Sequence, residues 1–240
     1  MLFSIITPCY NSEKTIARTL NSVLNQTFKD FEYIIIDGGS TDKTLDIING
    51  YRNKFKNNLT VISEPDEGIY DAMNKGIRMA KGNIVGIVNS DDYYEPKCLK
   101  VIADHYDAQK PLQIIYGMMR VVNERQEELA IRFNHHRNME KEIINHPASF
   151  VTKKLYEKCG CYDIRYKSAA DFDFMLKMIK KDVYFTPVYE IVTNFTRGGM
   201  SGTYIGVQED NEVRYNNGLV GRKKYLLTKW KNTLKYVLGV

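Results

Sequence analysis

Within residues 4–92 a short run of apolar, β-branched side chains recurs four times, and the first three runs are each followed by a polar loop and apolar residues at helical spacing. Ser4–Cys9 leads to Ile16, Leu20, Val23 and Leu24, and Glu32–Asp37 leads to Leu45, Ile48 and Tyr51. Leu59–Ser63 leads to Ile69, Met73, Ile77 and Ala80, and Asn83–Asn89 ends in Ser90-Asp91-Asp92. Strands that read as continuous apolar runs are buried on both faces, so this alternation predicts an α/β fold with a mainly parallel, Rossmann-like sheet flanked by helices. Asn11-Ser12 are expected to cap the first helix and Gly82 to end the third. In such sheets ligands bind beyond the carboxyl ends of the strands.

After Pro96 the pattern becomes mixed, with a helix near Lys97–Tyr106 and strands near Ile114–Val122, Ala130–Phe133 and Ala148–Val151. A helix follows over Ala170–Lys180, and Tyr184–Phe195 reads as extended. The reading divides the chain into a βα half at 1–95, a second half of the same body at 96–220, and a basic amphipathic helix at 221–240.

A chain of 240 residues, 43% hydrophobic and 26% charged, can bury a core without cross-links. Cys9, Cys98, Cys159 and Cys161 include no Cys-x-x-Cys pair and are expected to be reduced thiols. The N-terminal residues lack the basic start and apolar run of a signal peptide, and no stretch is long and apolar enough to span a bilayer. A cytoplasmic protein is expected. The net charge of +5 is unevenly placed, because residues 221–240 hold six cations and no acid; removing them leaves 28 basic against 29 acidic side chains. The body is therefore not basic, and nucleic-acid binding is not expected.

Asp37, Asp66 and the Asp91-Asp92 pair stand at or just after three successive strand ends, so their carboxylates should gather at one edge of the sheet. Carboxylates repel phosphate directly, but a hard divalent ion held by one of them, Mg²⁺ or Mn²⁺, binds phosphate oxygens. A nucleoside diphosphate is the ligand this arrangement suits. A single Asp in a turn more often satisfies nearby backbone groups, and it is the repetition that points to a site. Thr7-Pro8-Cys9-Tyr10-Asn11-Ser12-Glu13 contains no glycine, which argues against a dinucleotide fold, and neither a phosphate-loop lysine motif nor a nucleophile elbow is present.

Four blocks carry a resemblance to a known family: Ser4–Asn11, Glu32–Asp42, Ser63–Gly76 and Asn89–Asp92. In this order and spacing the chain resembles the family two glycosyltransferases of GT-A fold, which build polysaccharides in bacteria. The resemblance implies transfer of a sugar, with inversion, from a nucleotide donor, UDP-linked by expectation, to a glycan or lipid-linked acceptor. It implies that Pro8, Tyr10 and Asp37 line the base pocket, with Asp37 accepting from the base, that Asp66 and Lys75 lie nearby, and that Ser90 and Asp92 face the donor. Asp91 would bind the metal, and Asn89 departs from the acidic residue that the family often has there. Ser168–Asp173 is similar to the segment that supplies the general base, which assigns that role to Asp171. If Asp171 serves only as a helix cap, it loses that role. Asn145–Phe150 resembles an active-site border and makes His146 an acceptor-side candidate. Arg197, in Arg197–Ser201, is a candidate to close over the diphosphate.

Two other functions use the same residues. A nucleotidyltransferase would share the metal site and release pyrophosphate, and a nucleotide-sugar binder without turnover would tolerate Asn89. The tail places Leu226, Leu227, Trp230, Leu234, Val237 and Leu238 on one helical face. Such a helix suits peripheral contact with the inner face of a membrane, packing on its own body, or assembly of a homo-oligomer.

Overall fold

The structure, a computed structural model, describes residues 1–139, 142–198 and 202–238. In the first half β1 (Phe3–Cys9), α1 (Ile16–Leu24), β2 (Phe31–Asp37), α2 (Thr44–Asn49), α3 (Arg52–Phe55), β3 (Leu59–Ser63), α4 (Ile69–Met79) and β4 (Ile84–Ile87) follow one another. Strands β3, β2, β1 and β4 lie side by side and parallel, as buried apolar runs joined through helices must. Their carboxyl ends therefore share one edge.

The second half adds β5 (Tyr93–Tyr94), α5 (Cys98–Asp104), β6 (Gln113–Val122), β7 (Glu128–Arg132), β8 (Ser149–Thr152), α6 (Lys153–Cys159), α7 (Ala170–Ile179), β9 (Tyr184–Thr196), α8 (Tyr204–Asn216) and α9 (Arg222–Leu238). Antiparallel β8 joins β4 to β6, so one sheet of order β3-β2-β1-β4-β8-β6-β9-β5 runs through both halves, with β7 on β6. Strand β9 pairs parallel with β6 and antiparallel with β5. The sheet is thus parallel in its first half and mixed in its second.

Alternation along the strands feeds two apolar layers. Phe3, Ile5, Tyr33 and Ile35 pack with Leu20 and Val23 of α1 and Leu99 and Ile102 of α5. Ile6, Ile34 and Ile36 pack on the opposite face with Met73 and Ile77 of α4, Leu155 of α6 and Met175 of α7. Each fully buried isoleucine contributes about 2 kcal/mol relative to exposure. A one-residue slip would exchange the layers, so the sheet register is firmly held.

Two local expectations change. Helix α1 begins at Ile16 without a side-chain cap, and Asn11 adopts φ 47° so that its Oδ1 accepts the Thr41 amide at 2.9 Å. Asn11 and Ser12 build the site loop instead of capping. Helix α4 ends at Ala80, and Gly82 serves close approach: a Cβ there would lie 2.4 Å from the carbonyl carbon of Phe3.

Candidate active site

A cleft of about 780 Å³ opens over the carboxyl ends of β1 and β4, facing the start of α7. Its strand-end wall includes Pro8, Tyr10, Asp66, Asn89, Ser90 and Asp91. Tyr10 is 62% exposed at the cleft and its ring is free to stack on a flat partner. Ser90 Oγ lies 2.7 Å from Ser12 Oγ, which joins the loops after β4 and β1. Asp66 Oδ1 accepts the Gly68 amide at 2.9 Å. A Cβ at Gly38 would fall 2.5 Å from Asp66 Oδ2, so the absence of a side chain at Gly38 lets that carboxylate sit over the turn after β2.

Three of the sequence candidates lie behind this wall. Asp37 is fully buried, and its Oδ2 accepts from the Gly39 and Ser40 amides and from Ser63 Oγ at 3.2, 3.0 and 2.7 Å. Its Oδ1 accepts from Ser40 Oγ at 2.5 Å and from the Cys9 thiol. In this structure the Asp37 carboxylate holds the turn and is withdrawn from the cleft. Asp92 is also fully buried: Oδ1 accepts the Thr196 amide at 2.8 Å and Oδ2 accepts from Asn89 Nδ2 at 3.3 Å. Lys75 Nζ bridges Glu64 at 3.0 Å, Asp71 at 3.3 Å and the Pro65 carbonyl at 3.0 Å, which ties the loop carrying Asp66 to α4.

Asp91 is different. Its carboxylate is partly buried and lines the cleft, and it accepts no hydrogen bond from any other described residue. Burial raises its pKa above the ordinary carboxylate value, against a lowering by its own amide and by Arg18. Beside it Asn89 Oδ1 is buried with no hydrogen-bond partner. A cleft carboxylate that accepts no hydrogen bond from another described residue, two positions from a buried amide oxygen without a partner, offers hard oxygen donors of the kind that Mg²⁺ or Mn²⁺ takes. No group of three or more His, Cys, Asp or Glu forms a ready cage among the described residues, so such an ion would need oxygens from phosphate or water as well. The Asp91 backbone is fixed from below: Arg18 Nη2 donates to its carbonyl at 2.5 Å and to Thr196 Oγ1 at 2.9 Å, and Thr196 Oγ1 donates to the same carbonyl at 2.6 Å.

The opposite wall is built by α7 and what precedes it. Asp171 lies in the first turn of α7, whose N-cap is Ala169, so it is not a side-chain cap. Tyr70 Oη donates to Asp171 Oδ1 at 2.7 Å and lies 2.9 Å from the Ser168 carbonyl. Burial, then the Asp171 charge, pushes the Tyr70 phenol well above its ordinary pKa, so it stays a donor. The amides of Lys167, Ser168 and Ala169 all donate to the Glu209 carboxylate of α8, at 2.8, 2.7 and 3.1 Å. Glu209 therefore supplies the acceptor that the start of α7 lacks locally. Lys167 Nζ donates to the Glu67 carbonyl at 2.7 Å and lines the cleft between the walls.

His146 borders this wall, with Nε2 3.1 Å from Tyr162 Oη, which is 2.9 Å from Tyr156 Oη. Burial lowers its pKa, against a raising by Asp171. Arg197 is exposed just beyond β9 and is not among the cleft-lining residues. Its amide donates to the Val122 carbonyl at 2.9 Å, and Gly199, Met200 and Ser201 lie outside the described residues.

The cleft thus brings together Pro8, Tyr10, Asp66, Ser90, Asp91, His146 and Asp171. Sequence reading missed Arg18, Tyr70, Lys167 and Glu209. Tyr70 stands inside the Ser63–Gly76 block and carried a usable signal. Glu209 carried none, because its partners are backbone amides on another element.

Residues 4–169 match the family described as "Glycosyl transferase family 2". A PGL/p-HBAD biosynthesis glycosyltransferase of Mycobacterium bovis is 34% identical over 209 residues, spanning 85% of this chain and 80% of the relative. Among solved structures, S. aureus TarS 1–349 in complex with UDP-GlcNAc superposes with a TM-score of 0.74 at 27% identity, over 97% of this chain and 72% of that TarS 1–349 chain. The mannosyltransferase PcManGT of Pyrobaculum calidifontis, in complex with GDP-Man and Mn²⁺, shares the fold at a TM-score of 0.65 and 18% identity, over 92% of this chain and 65% of that one.

Proposed function

The chain belongs to glycosyl transferase family 2, and from that membership we propose that its cleft moves a sugar from a nucleoside diphosphate to an acceptor hydroxyl in glycan assembly, with inversion at the sugar carbon. The observation that carries this reading is the convergence of the Asp91 and Asp171 carboxylates on one cleft. One is unpaired and suits a cation; the other is held by a tyrosine on the facing wall.

The acceptor oxygen attacks the anomeric carbon while the bond from that carbon to the diphosphate breaks, and the acceptor proton passes to Asp171. No covalent enzyme intermediate is needed. Tyr70 orients Asp171 from the cleft lining, and Glu209 holds the loop before it from outside the cleft. A Mg²⁺ or Mn²⁺ held by Asp91, with Asn89 Oδ1 beside it, would supply positive charge for the departing diphosphate. Arg18 and Asp92 keep the Asp91 loop in place.

Pro8 and Tyr10 take the base side of the cleft and Ser90 the donor side. UDP is the proposed nucleotide, because TarS is described with UDP-GlcNAc. Asp37 acts on the base through the turn it holds, and Lys75 acts by anchoring the Asp66 loop. His146 faces a glycan or lipid-linked acceptor, and Arg197 closes toward the diphosphate. Arg197→Ala with unchanged donor affinity and turnover would remove that last role.

The test is a melting series with UDP, GDP and UDP-sugars, with and without Mn²⁺, followed by product analysis. UDP with Mn²⁺ is expected to raise Tm through linkage, and turnover to release free UDP. Pyrophosphate as the product would indicate nucleotidyl transfer, and binding without turnover a sugar-nucleotide sensor. No stabilisation by any nucleotide would end the proposal.

A further inference from the structure

Helix α9 docks on α8 through its polar side. Tyr236 stacks on Tyr204 with ring centroids 4.4 Å apart, and Tyr225 stacks on Tyr215 at 4.6 Å. Gln208 Nε2 donates to the Lys229 carbonyl at 3.1 Å, and Asn211 Nδ2 to the Tyr225 carbonyl at 3.1 Å. With an α-helix turning about 100° per residue, Tyr225, Asn232 and Tyr236 share one side, and Leu226, Leu227, Trp230, Leu234, Val237 and Leu238 fall in a stripe about 120° wide on the opposite side. The structure leaves that stripe open: Leu227 is 60% exposed, Trp230 64% and Val237 73%. No residue of α9 is buried.

The charges say what the stripe faces. On the same wheel Lys224, Lys231 and Lys235 flank one edge and Arg222 and Lys229 the other, Lys223 falls within the stripe at its first turn, and the helix contains no acid. A second copy of α9 laid on the stripe would bring two acid-free cationic helices together with nothing to neutralise them. A surface that is apolar below and anionic at its rim satisfies both features at once. No helix among the described residues is long and apolar enough to cross a membrane, so the contact is one of lying on the surface.

We propose that α9 is an interfacial anchor that seats its leucine and tryptophan stripe in an anionic lipid surface, with α8 holding the catalytic body above it. This stands independently of the sugar-transfer reading.

Trp230 is the single tryptophan of the chain and reports directly on the proposal. The full chain is mixed with vesicles of phosphatidylcholine alone or with about one third phosphatidylglycerol, a fraction that gives a negative surface potential. Trp230 emission is expected to shift to the blue only with the anionic vesicles, and roughly tenfold more protein should sediment with them. Raising salt from about 0.05 M to about 0.5 M should weaken binding several-fold by screening the cations. Leu227→Ser/Leu234→Ser should abolish the shift, and Lys224→Gln/Lys231→Gln/Lys235→Gln should reduce sedimentation at low salt. Both variants change exposed side chains, so unchanged circular dichroism is expected. Equal behaviour with neutral and anionic vesicles would overturn the proposal. So would a dimer in analytical ultracentrifugation that the leucine variant dissolves.

Discussion

The two walls of the cleft hold their carboxylates by different means. On the strand-end wall the fixing groups are near in sequence or on adjacent strands: Asp37 takes amides two and three residues along and the Ser63 hydroxyl across the β2–β3 pair. Asp92 takes its own loop's Asn89 and also the Thr196 amide of β9, which pairs with β5 next to it. On the helical wall Asp171 is fixed by Tyr70, 101 positions earlier, and by a loop whose amides end on Glu209 of α8. The first wall is mostly a property of repeated βα units, with Thr196 of β9 closing the Asp91-Asp92 loop from the second half. The second exists only when α4, α7 and α8 have docked. Asp91 and Asp66 line the cleft from the first wall and Asp171 from the second, while Asp37 and Asp92 are buried behind them.

Substitutions can break that contrast in order of expected size. Asp171→Asn should lower kcat by roughly 10²–10⁴-fold, the range for losing a general base, while calorimetry shows nucleotide binding unchanged. Retained turnover would move the base elsewhere. Asp91→Ala should cost about 10²-fold in turnover, in line with losing a group that stabilises transition-state charge, and should remove the Mn²⁺ dependence of nucleotide binding. An unaltered metal response would detach Asp91 from the ion.

Tyr70→Phe removes one hydrogen bond to a charged acceptor, which is worth about 1.5–3 kcal/mol, so kcat should fall roughly 10- to 150-fold with little change in KM. A change in KM alone would make Tyr70 a binding residue. Glu209→Gln keeps the acceptor oxygen but not the charge and should have a smaller effect than Glu209→Ala. Equal losses from the two would show that loop packing, not amide capture, sets Asp171.

The smallest effect concerns pH and stability. Burial depresses His146 below the ordinary histidine value of 6.5, so between its folded pKa and 6.5 the unfolded chain binds more protons. Stability from this group is therefore full above 6.5 and is lost as pH falls below it. Chemical denaturation at several pH values should show His146→Asn with a shallower decline below 6.5 than the unsubstituted chain. Parallel declines would assign the acid sensitivity to other groups.

The strand-end wall was largely legible in the sequence. Continuous apolar runs and helical spacing marked β1 to β4, and the Asp66 and Asp91 blocks fall on the cleft because strand ends must share an edge in a parallel sheet. Which carboxylates face outward was not legible. Asp91 and Asp92 are neighbours in one loop, yet one lines the cleft and the other binds the Thr196 amide from β9. Helices α6 and α8 escaped notice, since their buried faces are short and interrupted by polar residues that pair with distant elements.

What the sequence determined by itself is the local part: apolar periodicity, turn chemistry and the order of acidic strand ends act between residues close along the chain. Only the tertiary structure decided which acids stay unpaired, that Glu209 completes the loop before Asp171, and that the apolar side of α9 faces away from the body. Those outcomes depend on hydrogen bonds and packing between elements far apart in sequence, and such partners have no signature until the chain has folded.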